Sequence, residues 1–299
     1  MRKAALFVGV LALALSNSAA WAVEHSHHHG DGMTSCSQQH NNFDDMETFY
    51  SQEQFSVPMG SGVMQVTAAH NGGVSLIRGD GNAYEVTVCK SVGAENQGDA
   101  DKVFSQITAD HSGSQISVRG PQDGERWTAT LIIKVPQGAN MKVSSHNGPV
   151  AAREVSGTFD LETVNGPISV KKISGKITAK AQNGPIAFEG ESGDYDLQTQ
   201  NGPISIELEN QSWQNGKLDA HANNGPISLR LPKGYQSGVV VSSDGHSPMS
   251  CSADVCSEAR KTWDDGEKRI EFGPSNAVIK ISTHNGPVSV GTRTLEAEM

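Results

Sequence analysis

Between positions 147 and 231 the apolar residues alternate with polar ones, in blocks that restart every nine residues. The blocks open alternately with Asn-Gly-Pro and Ser-Gly: NGPVAAREV, SGTFDLETV, NGPISVKKI, SGKITAKAQ, NGPIAFEGE and SGDYDLQTQ follow one another, then NGPISIELE. The fourth place of each block is apolar (Val150, Phe159, Ile168, Ile177, Ile186, Tyr195, Ile204). So is the sixth (Ala152, Leu161, Val170, Ala179, Phe188, Leu197, Ile206), while the fifth and seventh are mostly polar. A period of two is the mark of a strand with one buried face. The eighth place of the Ser-Gly blocks is small: Thr163, Ala181, Thr199. After NQSWQ interrupts, NGKLDAHAN and NGPISLRLP resume the pattern.

Short strands broken by a turn every nine residues predict two strands per coil, 18 residues in all. Proline after Asn-Gly suits a corner better than a two-residue hairpin, because it lacks an N–H and restricts the residue before it. Stacked in register, the coils would place Asn147, Asn165, Asn183, Asn201 and Asn224 in a ladder, each rung about 4.8 Å above the last. Each buried Ile or Leu contributes roughly 1.5–3 kcal/mol, and no coil buries its inner face alone. The expected fold is all-β: a single-stranded, parallel-type β-solenoid of nine-residue half-turns with an N-terminal β cap. An antiparallel sandwich of hairpins is the rival.

Outside the strict repeat the pattern loosens. A copy at Val63 to Leu76 contains His70-Asn-Gly-Gly, and the last recognisable coil runs from Ala277 to Val290 with Asn285-Gly-Pro. Longer strands at Tyr84–Val88 and Trp127–Val135 are expected to cap one end and cover the open edge. The expected organisation is a signal peptide at 1–22, a His-rich and mostly disordered arm at 23–54, a β-solenoid at 55–292 and a tail at 293–299. The solenoid divides into an irregular part at 55–138, regular coils at 139–231, a cysteine-containing excursion at 242–270 and a final coil at 271–292.

The serial Asn-Gly and Ser-Gly coils, the strand-Pro-x-Gly lead-in at Val135–Gly138 and the closing Ile279–Val290 coil resemble a family of bacterial envelope proteins. Its members carry β-strand repeats and the label "putative adhesin", and the domain is one of unknown function. The resemblance covers roughly residues 55–292 and implies the fold, with "adhesin" a fold-level label. Family members commonly show Ser-Gly-Asp where this chain has Asn-Gly-Pro.

The chain's start changes the picture of where it works. Arg2 and Lys3 precede an apolar run from Ala4 to Leu15, and Ala20-Trp21-Ala22 offers small residues for a signal peptidase, so cleavage is expected before Val23. That run is shorter than the about 20 residues a bilayer span needs, and no later segment is apolar enough. Export to the periplasm or cell surface is the expectation. Without residues 1–22 the 33 acids face 21 rather than 23 basic residues, a balance of −12, which opposes nucleic acid and anionic lipid. In an oxidising compartment Cys36, Cys89, Cys251 and Cys256 are expected to form disulfides, and Cys36–Cys89 with Cys251–Cys256 is the favoured pairing.

Candidate chemistry is sparse. His25, His27, His28, His29 and Asp31 form a tract that could bind copper or zinc, and His25 would be the third residue of the cleaved chain, a spacing suited to square-planar Cu(II). No other cofactor is expected. Calcium β-rolls carry aspartate at the turn, whereas Asp160, Asp196 and Asp219 fall on a strand face. Asp244-Gly-His246-Ser247 has the residue types of a triad but not a triad's spacing, and no catalytic residue is assigned. Trp213 is expected to cover a bulge in the coil, with a carbohydrate platform as the alternative.

The sequence thus reads as an exported, non-enzymatic binding or scaffold module. Its expected partner is an envelope glycan, an envelope protein or a second copy of itself. A periplasmic metal-binding protein and a carbohydrate-active enzyme are the alternatives.

Overall fold

A computed structural model describes residues 32–121, 126–244, 247–263 and 268–293. Two large, mostly parallel sheets of 11 and 12 strands face each other in a β-solenoid-like arrangement. In the regular region each coil gives one strand to each sheet. The pairs are Ala139–Ser145 with Val150–Arg153, Ser156–Thr163 with Ile168–Lys171, Ser174–Ala181 with Ile186–Gly190, Asp194–Asn201 with Ile204–Leu208, and Leu218–Asn224 with Ile227–Leu231. Successive strands are parallel and in register, Phe159 beside Ile177 and Ile168 beside Ile186. The fourth- and sixth-place residues of both half-turns point inward and are buried, Leu161, Val170, Ile177, Leu197 and Ile206 among them.

The two corners of a coil are built differently. At the Asn-Gly-Pro corner the glycines stack closely: a Cβ on Gly184 would lie 2.0 Å from the carbonyl oxygen of Gly166. Proline donates nothing at this corner, and its carbonyl accepts from the preceding rung, as Pro185 does from the Ile168 N–H at 2.9 Å. The small eighth place sits under this corner. Thr199 Oγ1 donates to the Gly184 carbonyl at 3.0 Å, and Thr283 does the same to Gly225 at 3.1 Å. At the Ser-Gly corner the backbone itself requires glycine, with φ of +119° at Gly175.

Chain order and stacking order part company at both ends. The coil of Met64–Thr67 and Val74–Arg78 lies between two later ones, pairing with Gln115–Arg119 and Trp127–Val135 on one side and with the 139–153 coil on the other. At the far end, Ala277–Asn285 and Val288–Thr292 slot between the 218–231 coil and the earlier strands Gly238–Ser243 and Met249–Cys251. The coil expected to be last is therefore an inner rung. Most of the expected excursion at 242–270 belongs to the stack, since Met249–Cys251 extends one sheet and the hairpin of Arg260–Trp263 and Lys268–Phe272 extends the other.

One further expectation is corrected and another refined. The arm assigned to 23–54 ends sooner, because Glu47–Pro58 is a strand paired along its whole length with Ala83–Ala94. Its apolar places, Phe49, Phe55 and Val57, are too few to show a strong alternation. The longer strands at 84–88 and 127–135 do lie on the open edge of the first coil, but as further strands of the same sheet, so that Glu47–Pro58 becomes the new edge. Helix Gln97–Phe104, capped by the Asn96 side chain on the Asp99 N–H, packs against this extension. The disulfide Cys36–Cys89 ties residues ahead of Glu47 to it, and Cys251–Cys256 closes a loop at the opposite end.

Candidate functional site

The outward side of the 11-stranded sheet is organised in three rows. Prolines 149, 167, 185, 203, 226, 287 and 248 form the first. Beside them the fifth-place residues lie next to one another on adjacent strands: Ser75, Ala151, Ser169, Ala187, Ser205, Ser228, Ser289 and Ser250. The third row is charged, running Arg153, Lys171, Glu189, Glu207, Arg230 in register. Proline rings and small residues together leave a shallow trough along the stack, apolar on one wall with a hydroxyl-rich floor.

The charged wall is self-compensating. Arg293 reaches Glu189 at 3.2 Å and Glu207 at 3.9 Å, Arg230 lies 3.6 Å from Glu207, and Lys171 lies 3.9 Å from Glu189. Nearby, burial and a hydrogen bond shared with Glu189 hold the Glu209 carboxyl above its usual range, against the opposing pull of Lys172 and Arg293.

One end of the trough is filled by the chain itself. Gly32 rests on the floor so closely that a Cβ there would be 2.6 Å from Ser75 Oγ and 2.7 Å from the Ala151 methyl. Met33 and Gln38 line the same stretch. From Pro185 to Pro287 the trough has no such cover among the described residues.

The Asn ladder runs along the neighbouring corner. Each amide donates to the one before it: Asn165 to Asn147 at 2.9 Å, Asn183 to Asn165 at 3.0 Å, Asn201 to Asn183 at 2.9 Å and Asn224 to Asn201 at 3.0 Å. Asn147 continues it to Asn71, and Asn285 joins beyond Asn224, each at 3.0 Å. His70 and His146 stack beside the ladder with ring centroids 4.6 Å apart.

The other sequence candidates fall elsewhere. His25, His27, His28, His29 and Asp31 lie outside the described residues, as does His246. Asp244 approaches His284 at 3.6 Å, and Ser247 Oγ accepts the Gly286 N–H at 3.0 Å, so that serine caps a corner. Asp160 is paired with Lys142, Asp219 with Lys217, and Asp196 accepts from Gln198. Trp213 is buried against Phe188 and Tyr195, its ring covering the step where NQSWQ lengthens the coil. Arg260 and Arg269, which line a cavity under the 260–272 hairpin, both pair with Glu271.

The trough was not singled out from the sequence, although its signal is there. The fifth place of the Asn-Gly-Pro blocks is always Ser or Ala, a restriction that a merely solvated position would not need.

A protein-family model matches residues 49–254. The chain belongs to the Toastrack DUF4097 family. The Toastrack match takes in the edge strand from Phe49, the regular coils and the ladder as far as Asn224, and stops inside the loop closed by Cys251 and Cys256. No curated protein matches the chain in sequence. Among solved structures, a "putative cell adhesion protein" from Clostridium sporogenes is 11% identical, with a TM-score of 0.32, and the similarity covers 82% of this chain and 100% of that one. A "putative adhesin" from Bacteroides fragilis is 11% identical with a TM-score of 0.38, covering 82% and 97%. A "putative lipid binding protein" from Parabacteroides distasonis is 8% identical with a TM-score of 0.30, covering 82% and 97%. No described helix is long and apolar enough to cross a membrane.

Proposed function

We propose that this Toastrack protein is an exported, non-enzymatic binding or scaffold module of the bacterial envelope, and that its trough holds an extended polypeptide. The reading treats the stack as a single-stranded β-solenoid of 18-residue coils, supported by parallel pairing of residues 18 apart such as Ile168 and Ile186. Such a stack repeats one binding unit along its length, the usual way solenoids present a long surface. The observation that carries the proposal is Gly32 on the Ser75–Ala151 floor, where main chain fits because the floor side chains are small. A floor of Ser and Ala continues past that point to Ser289. Export is supported by the signal-like residues 1–22 and by the two disulfides.

The test is co-sedimentation of the purified protein with isolated envelope fractions. Ser205→Trp and Ser228→Trp fill the open trough from the solvent side and are expected to reduce binding at least tenfold, about 1.4 kcal/mol, with an unchanged melt. Protease treatment of the fractions should abolish binding and glycan-cleaving treatment should not. Full binding by both Trp variants would remove the trough from consideration.

A further inference from the structure

Among the described residues four strand edges terminate the two sheets, and three of them are short. Met249–Cys251 and Thr108–Asp110 have 3 residues each, and Arg260–Trp263 has 4 and carries Arg260 and Lys261. These are ordinary defences against edge-to-edge pairing. The fourth edge, Glu47–Pro58, is 12 residues long, holds no lysine or arginine and, among the described residues, is bonded on one side only. We propose that this free edge joins the same strand of a second copy of the chain, antiparallel about a two-fold axis at Gln52.

Backbone parity gives the geometry. Met59 N–H donates to the Asn82 carbonyl at 3.2 Å, and Gly93 N–H turns away from this strand to the Arg126 carbonyl at 2.8 Å. In an antiparallel ladder the bonded residues alternate, so odd positions of Glu47–Pro58 face Ala83–Ala94. The main-chain groups of Thr48, Tyr50, Gln52, Gln54 and Ser56 point at the open side. Pro58 falls on the same parity, so its missing N–H leaves no inner rung unpaired.

Self-pairing must match outward groups with outward groups, which allows two-fold axes at Ser51, Gln52 or Glu53 near the strand centre. An axis at Glu53 sets that carboxylate against its own copy. An axis at Ser51 sets Glu53 against Phe49 and Glu47 against Phe55. The axis at Gln52 sets Phe49 against Phe55, Ser51 against Glu53 and Thr48 against Ser56. It matches aromatic with aromatic and opposes no like charges, the favourable cross-strand combination. Phe49 and Phe55 are each only partly covered in the single chain and pack at the border of the core. Nine residues from Thr48 to Ser56 would pair, with about ten main-chain hydrogen bonds, the number of a typical specific interface. The contact is isologous, so it closes as a dimer. It is independent of the trough.

Sedimentation velocity of the purified protein up to about 100 µM is expected to show a concentration-dependent dimer. Gln52→Pro removes an outward N–H and should leave a monomer with a near-native melt. Within each chain Glu53 pairs with Lys90 at 2.9 Å and Ser51 lies opposite Lys90, so the charge test uses a Lys90→Gln background. There Ser51→Glu should raise the dimer dissociation constant about tenfold through two like-charge pairs with Glu53, and Ser51→Lys should lower it. Should Gln52→Pro fail to fold, the opposite responses of the two Ser51 variants decide the matter. A wild-type monomer throughout, or a dimer that ignores the charge at Ser51, overturns the proposal.

Discussion

A single atom explains why the Asn-Gly corner tolerates so little change. The space beside Gly184 is taken by the Gly166 carbonyl, 2.0 Å from where a Cβ would sit, and that carbonyl belongs to backbone that cannot swing away. Gly184→Ala is expected to cost about 3 kcal/mol or more, read from urea denaturation, whereas Ser205→Ala on the trough floor should stay within about 0.5 kcal/mol. Glu209 makes a pH-dependent prediction. Its folded-state pKa is raised above the unfolded value, so its contribution is favourable when protonated and is lost as pH rises through the folded pKa. Glu209→Gln should therefore raise the melting temperature at pH 7.5 by ~1–2 °C, with the gain vanishing once pH falls below the ordinary carboxylate range. An equal gain at pH 7.5 and pH 4 would show that the charge is not the cause.

At the scale of the strand, burial alternates as the sequence period requires. Ile186 is an inner residue and Ser205, one rung further on, sits at an outward place. Ile186→Asp should cost about 4 kcal/mol or more and destroy the cooperative melt, while Ser205→Asp should leave it intact. Equal loss from both would reverse the inside–outside assignment. Trp213 carries the one interruption of the regular coils: its ring lies 5.7 Å from Tyr195, and its Nε1 donates to the Gly193 carbonyl at 3.3 Å. Trp213→Ala should remove about 3–5 kcal/mol, with hydrogen exchange rising first near residues 209–217.

What could be read from the chain beforehand followed the same physics. Coils were legible wherever one residue type recurs every 18 positions, because stacking makes the same demand on each rung. Glu47–Pro58 was not, since an edge strand buries little and so writes a weak alternation. The trough was missed because its floor is defined by side chains too small to announce themselves. The order of stacking at the two ends was also hidden, for parallel pairing between distant coils leaves no mark in spacing.

For the whole molecule the inserted rung at 277–292 matters most. In a solenoid each coil is stabilised by its two neighbours, so removing an end repeat is usually mild and removing an inner one is not. Deleting residues from 274 onward leaves Lys268–Phe272 whole and takes out the rung that joins the 218–231 coil to Gly238–Ser243 and Met249–Cys251. The shortened chain is expected to lose exchange protection across 238–263 as well, while 139–208 stays protected. Persistent protection of 238–263 would mean that this end folds by itself.

The same rung also sets a timetable. An exported chain emerges from the membrane amino end first, and each regular coil can settle on the one before it as it emerges. Residues 238–251 cannot, because the place next to the 218–231 coil is reserved for a segment still to follow. They must wait until the about 40 residues that follow Cys251 have emerged, with their apolar faces uncovered. The end of the molecule from Gly238 onward thus closes in one step after 277–292 arrives, and that interval is when it most needs a chaperone.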